Sequence, residues 1–156
     1  MKELEVYRDH GPVDERRIDD FERVMGVRFP RTYRSLLSRH DALRPENADF
    51  DFIDRSSGKL VGRDVAFFGF GESLPRCHRI ADAQDHDVYG HEGIVQIGVS
   101  ANGDFVGFDY RGDPASDEPK VVALFHDVAG HDGKMLVSLV ADSFEEFIGL
   151  LHKSDE

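Results

Sequence analysis

Three of the chain's eight histidines share one polar stretch with four acids. His78, His86 and His91 stand among Asp82, Asp85, Asp87 and Glu92. Imidazole and carboxylate are reasonable zinc ligands, and a metal-dependent hydrolase would draw on such a 78–92 loop. No pair has a zinc-motif spacing such as His-Glu-x-x-His, so a solvated loop is the expectation and no metal is assigned. The same stretch follows a calcium loop only in part. Asp85, Asp87 and Gly90 take positions 1, 3 and 6, but Gln96 falls where the bidentate acid must be.

The remaining candidates for chemistry have simpler explanations. Cys77 and His78 are adjacent, and neighbours on a strand point to opposite faces, which is wrong for proton transfer. Cys77 is expected to be a small buried hydrophobe. Ser143 precedes a helical pattern, where a capping role accounts for it. Gly69-Phe70-Gly71 lacks the Lys-Ser/Thr of a phosphate loop. Asp104 is expected to satisfy turn backbone, and Asp109 to be an exposed strand residue.

These side chains need elements to position them. The organising stretch is 93–127, read as three β-strands. Val95, Ile97 and Val99 alternate, then Val106, Phe108 and Tyr110, then Val121, Ala123 and Phe125. Period-two alternation predicts one buried face. Asn102-Gly103 predicts a tight hairpin, because both residues tolerate positive φ. Gly98 and Gly107 inside strands predict a bulge or a close approach. Before this core, 1–10 reads as a short arm or edge strand. Asp14 caps a helix carrying Ile18, Phe21 and Met25, and Gly26 ends it. Pro30 opens a second helix with Tyr33, Leu36 and Leu37 inward and Arg31, Arg34 and Arg39 outward. Phe50, Phe52 and Ile53 make a strand that returns through Leu60 and Val61, and 65–70 is a further strand. After a loop at 128–134, 135–140 is a last strand. Asp142 or Ser143 then caps a helix whose Phe144, Phe147, Ile148 and Leu151 face the sheet. The plan is one α+β domain over 1–156: a mostly antiparallel twisted sheet packed against two N-terminal helices and one C-terminal helix.

Composition narrows the function classes. Nineteen Lys and Arg against 31 Asp and Glu give a net charge of −12. Such a surface repels phosphate backbones, which argues against nucleic acid, and attracts basic partners. A single cysteine excludes an internal disulfide and suits a reducing compartment. No stretch has the ~20 apolar residues of a membrane span. A cytoplasmic protein, a monomer or weak dimer without a cofactor, is expected.

Several segments, in order, resemble the SMI1/KNR4 family (SUKH superfamily). They are Ile18-Asp19-Asp20-Phe21-Glu22, Met25-Gly26-Val27-Arg28-Phe29-Pro30, then Tyr33 and Leu36-Leu37. Val95-Gln96-Ile97-Gly98, Gly103-Asp104 and Phe108-Asp109-Tyr110-Arg111 follow. Pro119-Lys120-Val121-Val122, His126-Asp127 and Ala141-Asp142-Ser143-Phe144-Glu145-Glu146-Phe147 complete the set. Two departures concern the subgroup. Arg39-His40-Asp41-Ala42 replaces the Asn-Gly-Gly frequent after the second helix, and Phe125 stands where a late-strand Trp is frequent. The resemblance implies a non-enzymatic module. Bacterial members resemble immunity proteins of contact-dependent and polymorphic toxin systems, which bind a cognate toxin, often a nuclease. Fungal members resemble scaffolds of cell-wall signalling. A basic nuclease toxin would meet an acidic face, expected at Asp82, Asp85, Asp87, Glu92, Asp109 and Asp113, with Tyr89 and Tyr110 as aromatic anchors. The alternatives are a scaffold or regulatory interaction protein of the same fold and the hydrolase on the 78–92 loop.

Overall fold

A computed structural model of the chain describes residues 1–84, 86–87 and 90–154. Strand β1 (Val6–Arg8) pairs antiparallel with β2 (Arg44–Pro45), so the N-terminal arm is an edge strand. Between them lie two helices. The Asp14 carboxylate accepts the Arg16 N–H at 3.0 Å and opens α1 (Glu15–Met25). Gly26 closes it at φ 68°, a left-handed conformation that costs a glycine little. Pro30 holds the cap position of α2 (Arg31–Arg39). Tyr33, Leu36 and Leu37 are buried as the spacing predicts. Arg34 is not outward: it is half-buried and bridges Asp19 and Glu22 of α1.

Strand β3 (Asp49–Ile53) turns back through β4 (Leu60–Asp64) as a separate hairpin. The main sheet is an antiparallel five-stranded meander in the order β5 (Ala66–Phe67), β6 (Ile94–Val99), β7 (Phe105–Asp109), β8 (Lys120–Ala129), β9 (Met135–Ala141). Of the expected 65–70 strand only Ala66 and Phe67 join the sheet, with Gly69 in an isolated parallel bridge to Arg79, and the expected loop at 128 begins later because β8 runs to Ala129. The last helix, α3 (Phe144–Leu150), starts where the Ser143 Oγ accepts the Glu146 N–H at 3.1 Å. Of the two candidate caps, Ser143 is the one used.

The helices and the β3–β4 hairpin cover one face of the sheet. Tyr33 is the hub, with ring centroids 5.0 Å from Phe29 and Phe108 and 5.3 Å from Phe144, all edge-to-face. Each such pair adds ~0.5–1.5 kcal/mol beyond area burial. The alternating triplets of β6, β7 and β8 lie on this face. The expectation of a single buried face was too narrow. Ile94, Val122, Leu124 and Met135 form a second small cluster, flanked by Val137 and Leu139. A bulge between Phe125 and Ala129 bends the β8–β9 hairpin, so Met135 reaches Ile94.

The two strand glycines answer to packing. A Cβ on Gly98 would lie 3.0 Å from the Ala66 carbonyl oxygen, beside a bulge between Gln96 and Gly98. On Gly107 it would lie 2.9 Å from Ile94 and 3.0 Å from the Val95 oxygen. The β6–β7 turn differs from the tight hairpin expected. Gly103 alone is at positive φ, and a longer loop closes through Ser100 N–H to the Asp104 oxygen at 2.8 Å. Cys77 is also placed differently: it is exposed on a 3-10 turn, which turns its side chain away from the core.

Candidate functional site

The acidic surface expected from the sequence divides into exposed and committed groups. Asp82, Asp87, Glu92 and Asp113 are exposed, and none forms an ion pair among the described residues. Asp82 lies on a 3-10 turn over β6, next to Ile80 and Ala81. Those two help line a groove of about 400 Å³ with Phe21, Val24, Met25 and Phe70. Val24 is 81% exposed there, a surface apolar residue that its place beside the helix stripe did not announce. Glu92 and Asp113 flank the end of the sheet where Ile94 pairs with Asp109 and Tyr110 N–H donates to the Gly93 oxygen. Asp85 and Tyr89 lie outside the described residues.

Two proposed contact residues are already occupied. Asp109 is half-buried and holds the Arg111 guanidinium through two 3.0 Å bonds. Burial acts to raise its pKa, but the Arg111 bonds outweigh that and hold the carboxyl below the usual aspartate range. Its charge is thus partly neutralised within the chain. Tyr110 is 1% exposed, and its hydroxyl donates to the Arg28 carbonyl at 2.6 Å. Burial pushes its phenol pKa up. Tyr110 therefore pins the segment between α1 and α2 to the sheet and presents no anchor to a partner.

The 78–92 loop is stitched to the sheet by the residues considered as metal ligands. His86 Nε2 donates to the Ile94 oxygen at 2.9 Å and His91 Nε2 to the Met135 oxygen at 2.7 Å. His78 is exposed, with its ring 6.4 Å from that of His10. These three rings serve different partners and do not converge. Gln84 completes the seam: its amide donates to the Gln96 oxygen at 2.7 Å and accepts the Gln96 N–H at 3.0 Å, as a neighbouring strand would. Lys134, from the bent β8–β9 hairpin, donates to the His86 and Gly90 oxygens.

Sequence reasoning missed where carboxylates would be buried. Asp104 is 1% exposed and receives Arg63 Nε at 2.7 Å, His126 N–H at 2.9 Å, His126 Nδ1 at 2.5 Å and Asn102 Nδ2 at 3.1 Å. With Asp127 and His126 it is the group among the described residues whose donor atoms could converge on a metal. An incoming cation would face the Arg63 guanidinium and three further donors already aimed at the same oxygens. The cluster instead ties β4, the β6–β7 turn and β8 together. Burial alone would raise the Asp104 pKa; the hydrogen bonds prevail and hold it low. Asp41 is likewise buried. It accepts the N–H groups of Phe70 at 2.8 Å and Gly71 at 3.0 Å. The glycine pair that failed as a phosphate loop thus cradles an internal carboxylate.

Among the described residues, three α-helices and a meander of antiparallel strands make an α+β fold with an acidic exterior. The sequence profile of the SMI1/KNR4 family (SUKH-1) matches residues 12–149, and the chain belongs to that family. Among curated proteins, none matches it. No helix of the described residues is long and apolar enough to cross a membrane.

Proposed function

We propose that this chain is a non-enzymatic immunity protein that binds and neutralises a basic, nuclease-type toxin domain. Membership of the SMI1/KNR4 family carries the reading, because that family is consistent with an immunity-like module with a protein partner. The net charge of −12 supports the basic character of the partner. A nuclease must hold phosphate, so its working surface is cationic, and an acidic protein can occupy that surface as nucleic acid would. Asp82, Asp87, Glu92 and Asp113, exposed and without an ion pair among the described residues, would face it. Cytoplasmic location follows from the same reading, since the toxin acts there on nucleic acid.

The test is co-expression with the toxin domain encoded beside this protein's gene. Growth should be restored, and the purified proteins should form a stoichiometric complex that removes nuclease activity. If the neighbouring toxin kills cells equally with and without this chain, the immunity reading fails and a scaffold role takes its place.

A further inference from the structure

The two edges of the main sheet are treated differently. Strand β5 covers β6 at Gly98 and Val99, and the Phe68 N–H that follows it donates to the Ile97 oxygen at 2.9 Å. Beyond it, the side chains of Gln84 and His86 take up the Gln96 and Ile94 backbone groups, so that edge is sealed. Strand β9 is the opposite edge. It reads Met-Leu-Val-Ser-Leu-Val-Ala, with no charge and no proline, and its pairing with β8 is regular from Leu136 to Leu139 before a bulge at Val140. Its ladder runs to β8 alone, and no other backbone group among the described residues bonds to it. Natural edge strands are usually blunted by lysine, proline, a bulge or a covering segment, because an open apolar edge recruits another strand. Strand β3 does not fill the place. It packs on the core face, with Phe52 stacked on Phe125 and Phe50 edge-on to Phe147; it lies beside β9 across a shared groove, where Ser138 Oγ donates to Asp54 just past its end, but shares no backbone ladder with it.

A groove of about 320 Å³ runs beside this edge, lined by Ile53, Leu139, Val140 and Leu150 among others. Ile53 is 55% exposed, and the last three are half-buried. Its polar lining is Asp51, Asp142 and Glu146 against Arg55, three carboxylates to one guanidinium. Asp142 and Glu146 are exposed and have no ion-pair partner among the described residues. A second copy of this chain would bring another −12 to the same place, which argues against self-pairing.

We infer that β9 is a docking edge for an extended segment of a basic protein partner. The segment would add a strand antiparallel or parallel to β9, set alternate apolar side chains against Ile53 and Leu139, and direct lysine or arginine toward Asp142 and Glu146. Backbone bonds supply the adhesion, and the acidic rim selects the charge. The basic character of the occupant rests on the function proposed above; the open edge does not.

The probe is a capped octapeptide of alternating lysine and valine, followed by residue-resolved amide exchange of the full chain. Saturating peptide should slow exchange across 136–141 by on the order of tenfold or more. The same peptide N-methylated at alternate residues should give no slowing, because it cannot extend the ladder. A glutamate–valine octapeptide should bind far more weakly, and the pair of changes Asp142→Asn and Glu146→Gln should weaken the lysine–valine peptide several-fold at low salt. Unaltered exchange in β9, or equal binding of the acidic peptide, overturns the inference. So does slowing that grows with protein concentration in the absence of peptide, which would mean self-pairing. Exchange measured in a complex with the neighbouring toxin separates the two readings. A complex with β9 still open would leave immunity standing and remove this edge from it, whereas peptide protection without rescue of growth would do the reverse.

Discussion

Two buried tyrosines show how a hydroxyl's partner decides its worth. Tyr110 donates to the Arg28 carbonyl, while the Tyr33 hydroxyl is buried with no hydrogen-bond partner among the described residues. A made bond contributes ~1 kcal/mol net, and an unmade buried one is a desolvation cost. Tyr110→Phe should therefore lower stability by about 1 kcal/mol, and Tyr33→Phe should leave it unchanged or raise it. Urea unfolding of the two variants checks the contrast; equal losses would refute it. The buried acids make a pH statement. Asp104 and Asp54 are both held below the ordinary aspartate pKa: burial opposes this, but hydrogen bonds to Asp104 from His126, Arg63 and Asn102, and to Asp54 from Ser57, Ser56 and Ser138, prevail. The folded pKa lies below the unfolded one, so their stabilisation is complete above about pH 4 and is lost as pH falls through the folded values. Melting temperature should fall steeply below about pH 4. Asp104→Asn should cost roughly 1.5–3 kcal/mol at neutral pH and make that fall shallower. A variant that melts like the parent at pH 7 would show that the Arg63–Asp104–His126 knot is not a structural tie.

At the scale of elements, the crossing of β6, β7 and β8 leaves no room beside Gly107. An added methyl would meet the Val95 carbonyl oxygen, which cannot swing aside as a side-chain tip can. Gly107→Ala should destabilise by about 1–3 kcal/mol, read as a lower urea midpoint with the denaturant slope unchanged. Loss of less than half that would mean that the strands shift apart at little cost. That glycine was legible in the sequence because a strand tolerates glycine for few reasons. The caps at Asp14, Gly26 and Ser143 were legible for the same kind of reason, since each is local: a side-chain oxygen on a nearby N–H at Asp14 and Ser143, and a left-handed backbone at Gly26. The triplets on β6, β7 and β8 followed from alternation. What stayed hidden was long-range. Asp54 meets Ser138 across 84 residues of sequence, and Asp104 meets Arg63 across 41. Nothing in the spacing of either acid told it apart from the exposed Asp82 or Asp113. The second apolar cluster was hidden too, because a bulge inside β8–β9 folds the hairpin over a face that alternation assigns to solvent. Of the acidic surface expected from the sequence, Asp109 and Tyr110 were therefore spent inside the fold, and the free acids became known only when their neighbours did.

At the scale of the whole molecule, charge acts before contact. A net −12 on 156 residues draws a cationic partner inward over distances that short-range contacts do not reach. In 0.1 M salt the field fades over about 10 Å, so exposed acids govern encounter more than the final grip. Asp82, Asp87 and Glu92 are exposed and unpaired among the described residues, and all lie on the segment stitched down by Gln84, His86, His91 and Lys134. Because that stitching uses backbone carbonyls and not these carboxylates, reversing their charge should leave the fold intact. The triple change Asp82→Lys, Asp87→Lys and Glu92→Lys should slow association with a basic toxin domain by about tenfold at low ionic strength. The slope of association rate against salt should become shallower, and at about 0.5 M salt the variant and parent should converge. The dissociation rate should change little, since rim charges act mainly on encounter. Stopped-flow association across a salt series measures both quantities. Unchanged rates at low salt would take these three acids off the approach path, and a change confined to dissociation would place them instead within the desolvated contact.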